Sequence, residues 1–276
     1  MAYLKTTDGV GLFYTDQGEG LPLICLAGLT RCGKDFRYFA PHAARYRMIT
    51  LDARGRGGSE HAEDYMTYNV LREAGDVLEL MDHLELKKAA ILGTSRGGLV
   101  AMTLAATAKD RLSAVILNDI GPEIASGGIG RIMDYVGRRP AAKNHTQAAI
   151  TLSAMMAEAF PDVPAQRWME EAETYYDAAP GGLDLRYDPR LRDALIAQAE
   201  AGPAPDLWPL FQALEGVPAG AIRGANSDLL SAATFAEMQK RLPDMDAVEA
   251  AGRGHVPFLD EPEALALIHS VLARAP

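Results

Sequence analysis

The sequence predicts an α/β fold: a mostly parallel central sheet flanked by helices, carrying an inserted all-helical block. Three observations lead there. Short apolar runs without polar alternation recur at 21–27, 48–52, 89–93, 114–117 and 219–223, the mark of strands buried on both faces of a parallel sheet. Amphipathic stripes lie between several of them, so the rhythm is strand, helix, strand. From residue 121 to 205 that rhythm breaks, and only helical stripes appear.

Taken in order, two β-type segments open the chain at 2–6 and 11–15, with Asp8-Gly9 between them as a hairpin-type turn. The buried strand 21–27 and the strand 48–52, which ends in Asp52, follow. Residues 68–84 place apolar side chains at 70, 71, 74, 77, 78, 81 and 84, the stripe of a core-facing helix. Strand 89–93, a helix from 96 to about 108, and strand 114–117 continue the pattern. In the insertion, Ile129, Ile132, Met133 and Val136 make one helical stripe, Trp168, Met169, Ala172, Tyr175 and Tyr176 another, and Leu191, Ala194 and Leu195 a third. Pro140, Pro161 to Pro164, Pro180-Gly181-Gly182 and residues 202–205 break it. The βα pattern resumes with helix 206–214, strand 219–223, helix 232–241, strand 246–250 and a last helix from Pro262. One core (1–120 and 206–276) is thus interrupted by one insertion (121–205).

Composition narrows the function classes. With 27 Lys+Arg against 37 Asp+Glu the net charge is −10, which disfavours nucleic acid or an anionic membrane as partner, since both need a basic face. No basic segment followed by an apolar stretch opens the chain, and the longest apolar run, 21–29, is too short to span a bilayer. The two cysteines, Cys25 and Cys32, cannot build a disulfide framework and fit a reducing compartment. The expectation is a cytoplasmic enzyme. No His/Cys/Asp/Glu cluster has metal-ligand spacing, and no cofactor is expected.

The chemistry centres on Gly93-Thr94-Ser95-Arg96-Gly97-Gly98. This G-x-S-x-G stands between a strand and a helix, where a sharp turn lifts the serine to the carboxyl edge of the sheet. Neighbours two residues to either side must lack Cβ for strand and helix to approach. A serine hydroxyl needs a base, and six histidines are available: His42, His61, His83, His145, His255 and His269. Of these only His255 follows a late strand in a loop, Gly252-Arg253-Gly254-His255-Val256-Pro257. Asp228, after strand 219–223, supplies the orienting acid in the order Ser, Asp, His. Asp119, after strand 114–117, is the alternative acid. The backbone N–H groups of Arg96 and Leu29 are the expected oxyanion donors, the second from the loop Ala27-Gly28-Leu29-Thr30.

With these motifs in place, the chain resembles the α/β-hydrolase fold superfamily over essentially its whole length. The serine turn, the loop Asp52-Ala53-Arg54-Gly55-Arg56-Gly57-Gly58-Ser59, the Ala-Gly-Leu loop, Asp228 and Gly254-His255-Val256-Pro257-Phe258 fall where that family has its motifs. The resemblance implies a serine esterase with a helical cap. Two departures stand out. Many relatives carry His-Gly where this chain has Ala27-Gly28, so a side-chain brace of the oxyanion loop is missing. Arg96 replaces the usual apolar residue after the nucleophile, and an acid is expected to hold it. Serine in place of aspartate disfavours the dehalogenase and epoxide-hydrolase branches.

A rival motif is close at hand. Gly28 to Lys34 nearly matches a phosphate-binding loop, but Asp35 stands where a Ser or Thr hydroxyl should hold Mg²⁺. The expected function is therefore hydrolysis of a small-molecule carboxylic ester, thioester or lactone through an acyl-enzyme. Cofactor-free haloperoxidase or perhydrolase chemistry and C–C bond hydrolysis use the same triad, and a ligand receptor with little turnover is the reading from another class.

Overall fold

The computed structural model describes residues 2–202 and 204–276, and for residues 126–129 the backbone without the side chains. Pro203, part of the expected break at 202–205, and the side chain of Ile129, part of the first expected stripe, lie outside what is described. In chain order the elements are β1 (Ala2–Lys5), β2 (Gly11–Gln17), β3 (Leu21–Leu26), β4 (Tyr46–Leu51), α1 (Val70–His83), β5 (Ala89–Thr94), α2 (Arg96–Thr107) and β6 (Leu112–Asn118). The insertion brings α3 (Ser126–Tyr135), α4 (His145–Met156), α5 (Ala165–Tyr175), β7 (Tyr176–Ala179), β8 (Gly182–Leu185) and α6 (Leu191–Glu200). The chain ends with α7 (Trp208–Gln212), β9 (Ala219–Gly224), α8 (Ala232–Arg241), β10 (Asp246–Ala250) and α9 (Pro262–Leu272).

The main sheet has eight strands in the order β1-β2-β4-β3-β5-β6-β9-β10. Only the β1–β2 and β2–β4 pairings are antiparallel. The remaining pairs are parallel. Its central strands lack alternation because alternate residues feed two cores. Ile24, Leu26, Ile91 and Val115 pack on the face covered by α1, α2 and α8. Leu23, Cys25, Leu92 and Ile116 pack on the face covered by α9 and the short turns holding Phe36 and Phe39. Both faces are covered, so β3's carboxyl half, β5 and β6 are almost wholly apolar, with the buried Ser113 hydroxyl of β6 left without a hydrogen-bond partner among the described residues.

Helix α1 starts at Asn69, whose side chain accepts from Arg72 N at 2.8 Å, and buries Ala74, Val77, Leu80 and Met81. Leu71, expected on that stripe, is instead 68% exposed. The face also buries two acids, Glu73 and Asp76, that apolar periodicity does not reveal; each meets an arginine.

The insertion has a small core of its own, made by Ala148, Ala149, Phe160, Trp168, Ala172 and Leu183. It is not all-helical. Strands β7 and β8 form an antiparallel hairpin around Pro180-Gly181, where Gly181 has φ of +87°. Tyr176, read as the end of a helical stripe, is the first residue of that hairpin. The strand is short and its burial does not alternate, so it carries no period-2 signal, and the Pro-Gly pair that closes it also serves as a helix breaker. The insertion packs on the carboxyl-edge loops of the sheet. Arg31 and Arg37 reach Glu171 of α5 at 3.0 and 2.6 Å, and Arg167 grips Asp260. On the other side Gly57 N donates to Arg186 O at 2.8 Å.

Candidate active site

Ser95 occupies the turn between β5 and α2 with φ 50° and ψ −115°, a conformation costly for a residue with a Cβ and persistent only where its surroundings enforce it. The enforcement is local. A Cβ at Gly93 would lie 2.5 Å from Gly97 O, and one at Gly97 would lie 2.7 Å from the carbonyl carbon of Leu26 and closer still to its oxygen. Strand and helix therefore meet only because both positions are glycine. Ser95 N donates to Asn118 O at 2.9 Å, which ties the turn to the end of β6.

The side chains converge from three strand ends. His255 Nε2 lies 2.9 Å from Ser95 Oγ. On its other edge, His255 Nδ1 lies 2.7 Å from Asp119 Oδ2. Asp119 is fully buried, at a positive φ of 53°, and its carboxylate has two further donors: Ser227 Oγ at 2.6 Å on Oδ2 and Gly224 N at 2.7 Å on Oδ1.

Asp228, the acid expected from chain order, is not at the histidine. Its side chain is 36% exposed and paired with Arg131 of α3. The loop after β9 turns back so that Ser227 and the Gly224 amide face Asp119, and the next side chain points to the insertion. The alternative acid, Asp119, is the one that meets His255. Both aspartates follow neighbouring parallel strands, so chain order does not separate them; the direction of the side chain does.

The loop carrying His255 is held from below. Asn118, fully buried, donates through Nδ2 to Pro257 O at 3.1 Å, while Glu261 accepts from Phe258 N, Leu259 N and Arg253 Nε. Asn118 and Ser227 carry no sequence signal because short polar residues at or just after strand ends look like ordinary turn formers, and Glu261 carries none because an acid at the start of a helix is ordinary.

Among the described residues, Leu29 N and Arg96 N, the two expected oxyanion donors, bond to no acceptor within the chain. The Arg96 side chain is held by an acid, as expected: its Nε and Nη2 reach Glu73 at 2.7 and 3.0 Å. The phosphate-loop lookalike is built for another purpose. Gly33 N donates to the Asp52 carboxylate at 2.6 Å, and Asp35 pairs with Arg31 at 2.7 Å. Burial pushes the Cys25 thiol well above its ordinary value, and burial with Asp52 pushes Cys32 up to about 11. Neither is a thiolate at neutral pH. Among the described residues no group of three or more His, Cys, Asp or Glu side chains is placed to hold a metal ion. Among the described residues no helix is long and apolar enough to cross a membrane.

The fold of the whole chain is shared with known proteins. Residues 22–262 match the family described as alpha/beta hydrolase fold. The chain belongs to the alpha/beta hydrolase fold family. A solved alpha/beta hydrolase from Novosphingobium aromaticivorans superposes with a TM-score of 0.92 at 35% identity, covering 99% of this chain and 98% of its own. Among curated relatives, a 3-hydroxybutyrate-oligomer hydrolase of Cupriavidus necator is 35% identical over 254 residues, 89% of this chain and 86% of the relative. A 2-(acetamidomethylene)succinate hydrolase of Mesorhizobium japonicum is 27% identical over 241 residues, 87% and 83% of the two chains. This alpha/beta hydrolase is thus a hydrolytic enzyme of that family.

Proposed function

We propose that this alpha/beta hydrolase cleaves a small-molecule carboxylic ester through an acyl-enzyme on Ser95, with thioesters and lactones as related substrates. The observation that carries the reading is the unbroken chain Ser95 Oγ, His255, Asp119, with contacts of 2.9 and 2.7 Å. His255 protonated on Nδ1 donates to Asp119, which leaves Nε2 free to take the serine proton. Ser95 Oγ then bonds to the carbonyl carbon, and the oxyanion is met by Leu29 N–H and Arg96 N–H. His255 returns the proton to the departing alkoxide. Water repeats the sequence: it loses a proton to His255, attacks the acyl carbon, and Ser95 is released with the carboxylic acid.

The segment 121–205 serves as the cap over this site, with 1–120 and 206–276 as the catalytic core. The 35% identity to the Cupriavidus enzyme makes short 3-hydroxyalkanoate oligomers the first ester class to test. The two free, buried thiols fit a reducing compartment, and the cytoplasm is the proposed location.

The test is turnover of p-nitrophenyl esters of graded chain length and of 3-hydroxybutyrate dimer and trimer. Ser95→Ala should lose about 10⁴-fold or more in kcat. A Ser95→Ala protein that kept the parental rate on every ester would overturn the assignment.

A further inference from the structure

Ala27 leaves the oxyanion loop without the side-chain brace that a histidine would supply, and behind that loop lies a cavity of about 20 Å³ bounded by Ala27, Gly28, Arg56, Glu73 and Arg96. Packing contacts are therefore missing on that side of the loop. A buried ionic bridge stands at this place. Glu73, on the core face of α1, meets Arg96 through Oε2 at 2.7 Å and Arg56 through Oε1 at 2.8 Å. Arg56 then donates through Nε to Leu29 O at 2.9 Å and through Nη1 to Arg54 O at 2.6 Å. Its own backbone is fixed by a bridge to Tyr187 of the insertion. All three side chains are almost wholly buried.

We infer that Arg56 and Glu73 are positioning residues that hold the two oxyanion donors, Leu29 N–H and Arg96 N–H, in register with each other. The inference rests on the acyl-enzyme reading of Ser95. One carboxylate touches both arms: it fixes the side chain of the residue that carries one donor, and through Arg56 it fixes the carbonyl of the residue that carries the other. A carbonyl held on Leu29 fixes the Leu29–Thr30 peptide plane, which adjoins the plane carrying Leu29 N–H and so narrows the range through which that N–H can turn. Oxyanion donors act by preorganisation, so a small misdirection costs transition-state binding rather than ground-state binding. Lysine at position 56 keeps the charge but lacks the planar fork that serves Glu73 and Leu29 O together.

The test compares wild type, Arg56→Lys and Glu73→Gln in two assays, with circular dichroism and melting curves on each. The first assay is kcat and KM on p-nitrophenyl acetate. The second is the rate of covalent inactivation by diethyl p-nitrophenyl phosphate: Ser95 Oγ bonds to phosphorus, p-nitrophenolate leaves, and the phosphoryl oxygen occupies the oxyanion position. The expected result is a kcat lower by about 10- to 100-fold at nearly unchanged KM, part of the effect of deleting one donor outright. Inactivation should slow in proportion. Folded variants with parental kcat and parental inactivation rate would overturn the brace while leaving the acyl-enzyme reading intact. Failure of the reagent to label Ser95 in the wild type would instead overturn that reading. Should Glu73→Gln fail to fold, Arg56→Lys decides the matter by the same two rates.

Discussion

Replacing Asp119 by Asn changes one atom and should nearly abolish turnover, for a reason visible in its three donors. Gly224 N–H needs an acceptor at Oδ1, so the amide must place its oxygen there and its NH₂ where Oδ2 was. That NH₂ then faces His255 Nδ1 and donates to it. The imidazole proton is forced onto Nε2, the nitrogen 2.9 Å from Ser95 Oγ, and the base can no longer accept the serine proton. The expected loss is about 10⁴ in kcat, a rise of about 5 kcal/mol in the barrier, with little change in KM. Asp228→Asn removes only a pair whose side chains are 36% and 61% exposed; such pairs are worth up to about 1 kcal/mol, or about fivefold in rate at most. Active-site-titrated turnover of p-nitrophenyl acetate by the two variants is the assay, with melting curves to establish folding. A crippled Asp228→Asn beside a near-normal Asp119→Asn would refute the argument.

Four further outcomes follow from the same contacts. Ser227→Ala removes a charge-assisted donor from Asp119 and should lower kcat about tenfold, whereas Ser227→Thr should retain most of it; equal rates in both would show that the hydroxyl is idle. Gly97→Ala drives a Cβ into the Leu26 carbonyl of β3 and should destabilise the fold by about 3 kcal/mol or more, read as a fall of several degrees in melting temperature, and an unchanged temperature would contradict it. For Glu73, burial raises the pKa, but Arg56 and Arg96 together bring it below the ordinary 4.5. Its stabilisation is therefore complete above 4.5 and is lost as pH falls through the depressed value, so the stability gap between wild type and Glu73→Gln should narrow on acidification; a gap constant from pH 6 to 3 would count against the pairing. Finally, 5,5′-dithiobis(2-nitrobenzoate) should leave native activity intact and reach Cys25 and Cys32 only after denaturant is added, since both are buried; rapid labelling with loss of turnover would bring a cysteine into the chemistry.

What the chain order alone made legible is the part of the molecule ruled by local constraint. A buried parallel strand must be apolar throughout, and a serine on a strand-to-helix elbow must have glycine at 93 and 97, so both features sit in contiguous residues and can be read without a structure. His255 stood out because few loops follow a late strand. The acid could not be chosen this way. Asp119 and Asp228 end adjacent strands, β6 and β9, and only the fold turns one carboxylate inward to His255 and the other outward to Arg131. The same holds for Glu73 and Arg56, separated by 17 positions along the chain, whose buried pairing depends on how α1 lies over the carboxyl edge of the sheet. It holds also for the β7–β8 hairpin, too short to bear a period. Local sterics write themselves into neighbouring residues; the direction of a side chain at the end of a strand is set by everything packed around it, and that is decided only in three dimensions.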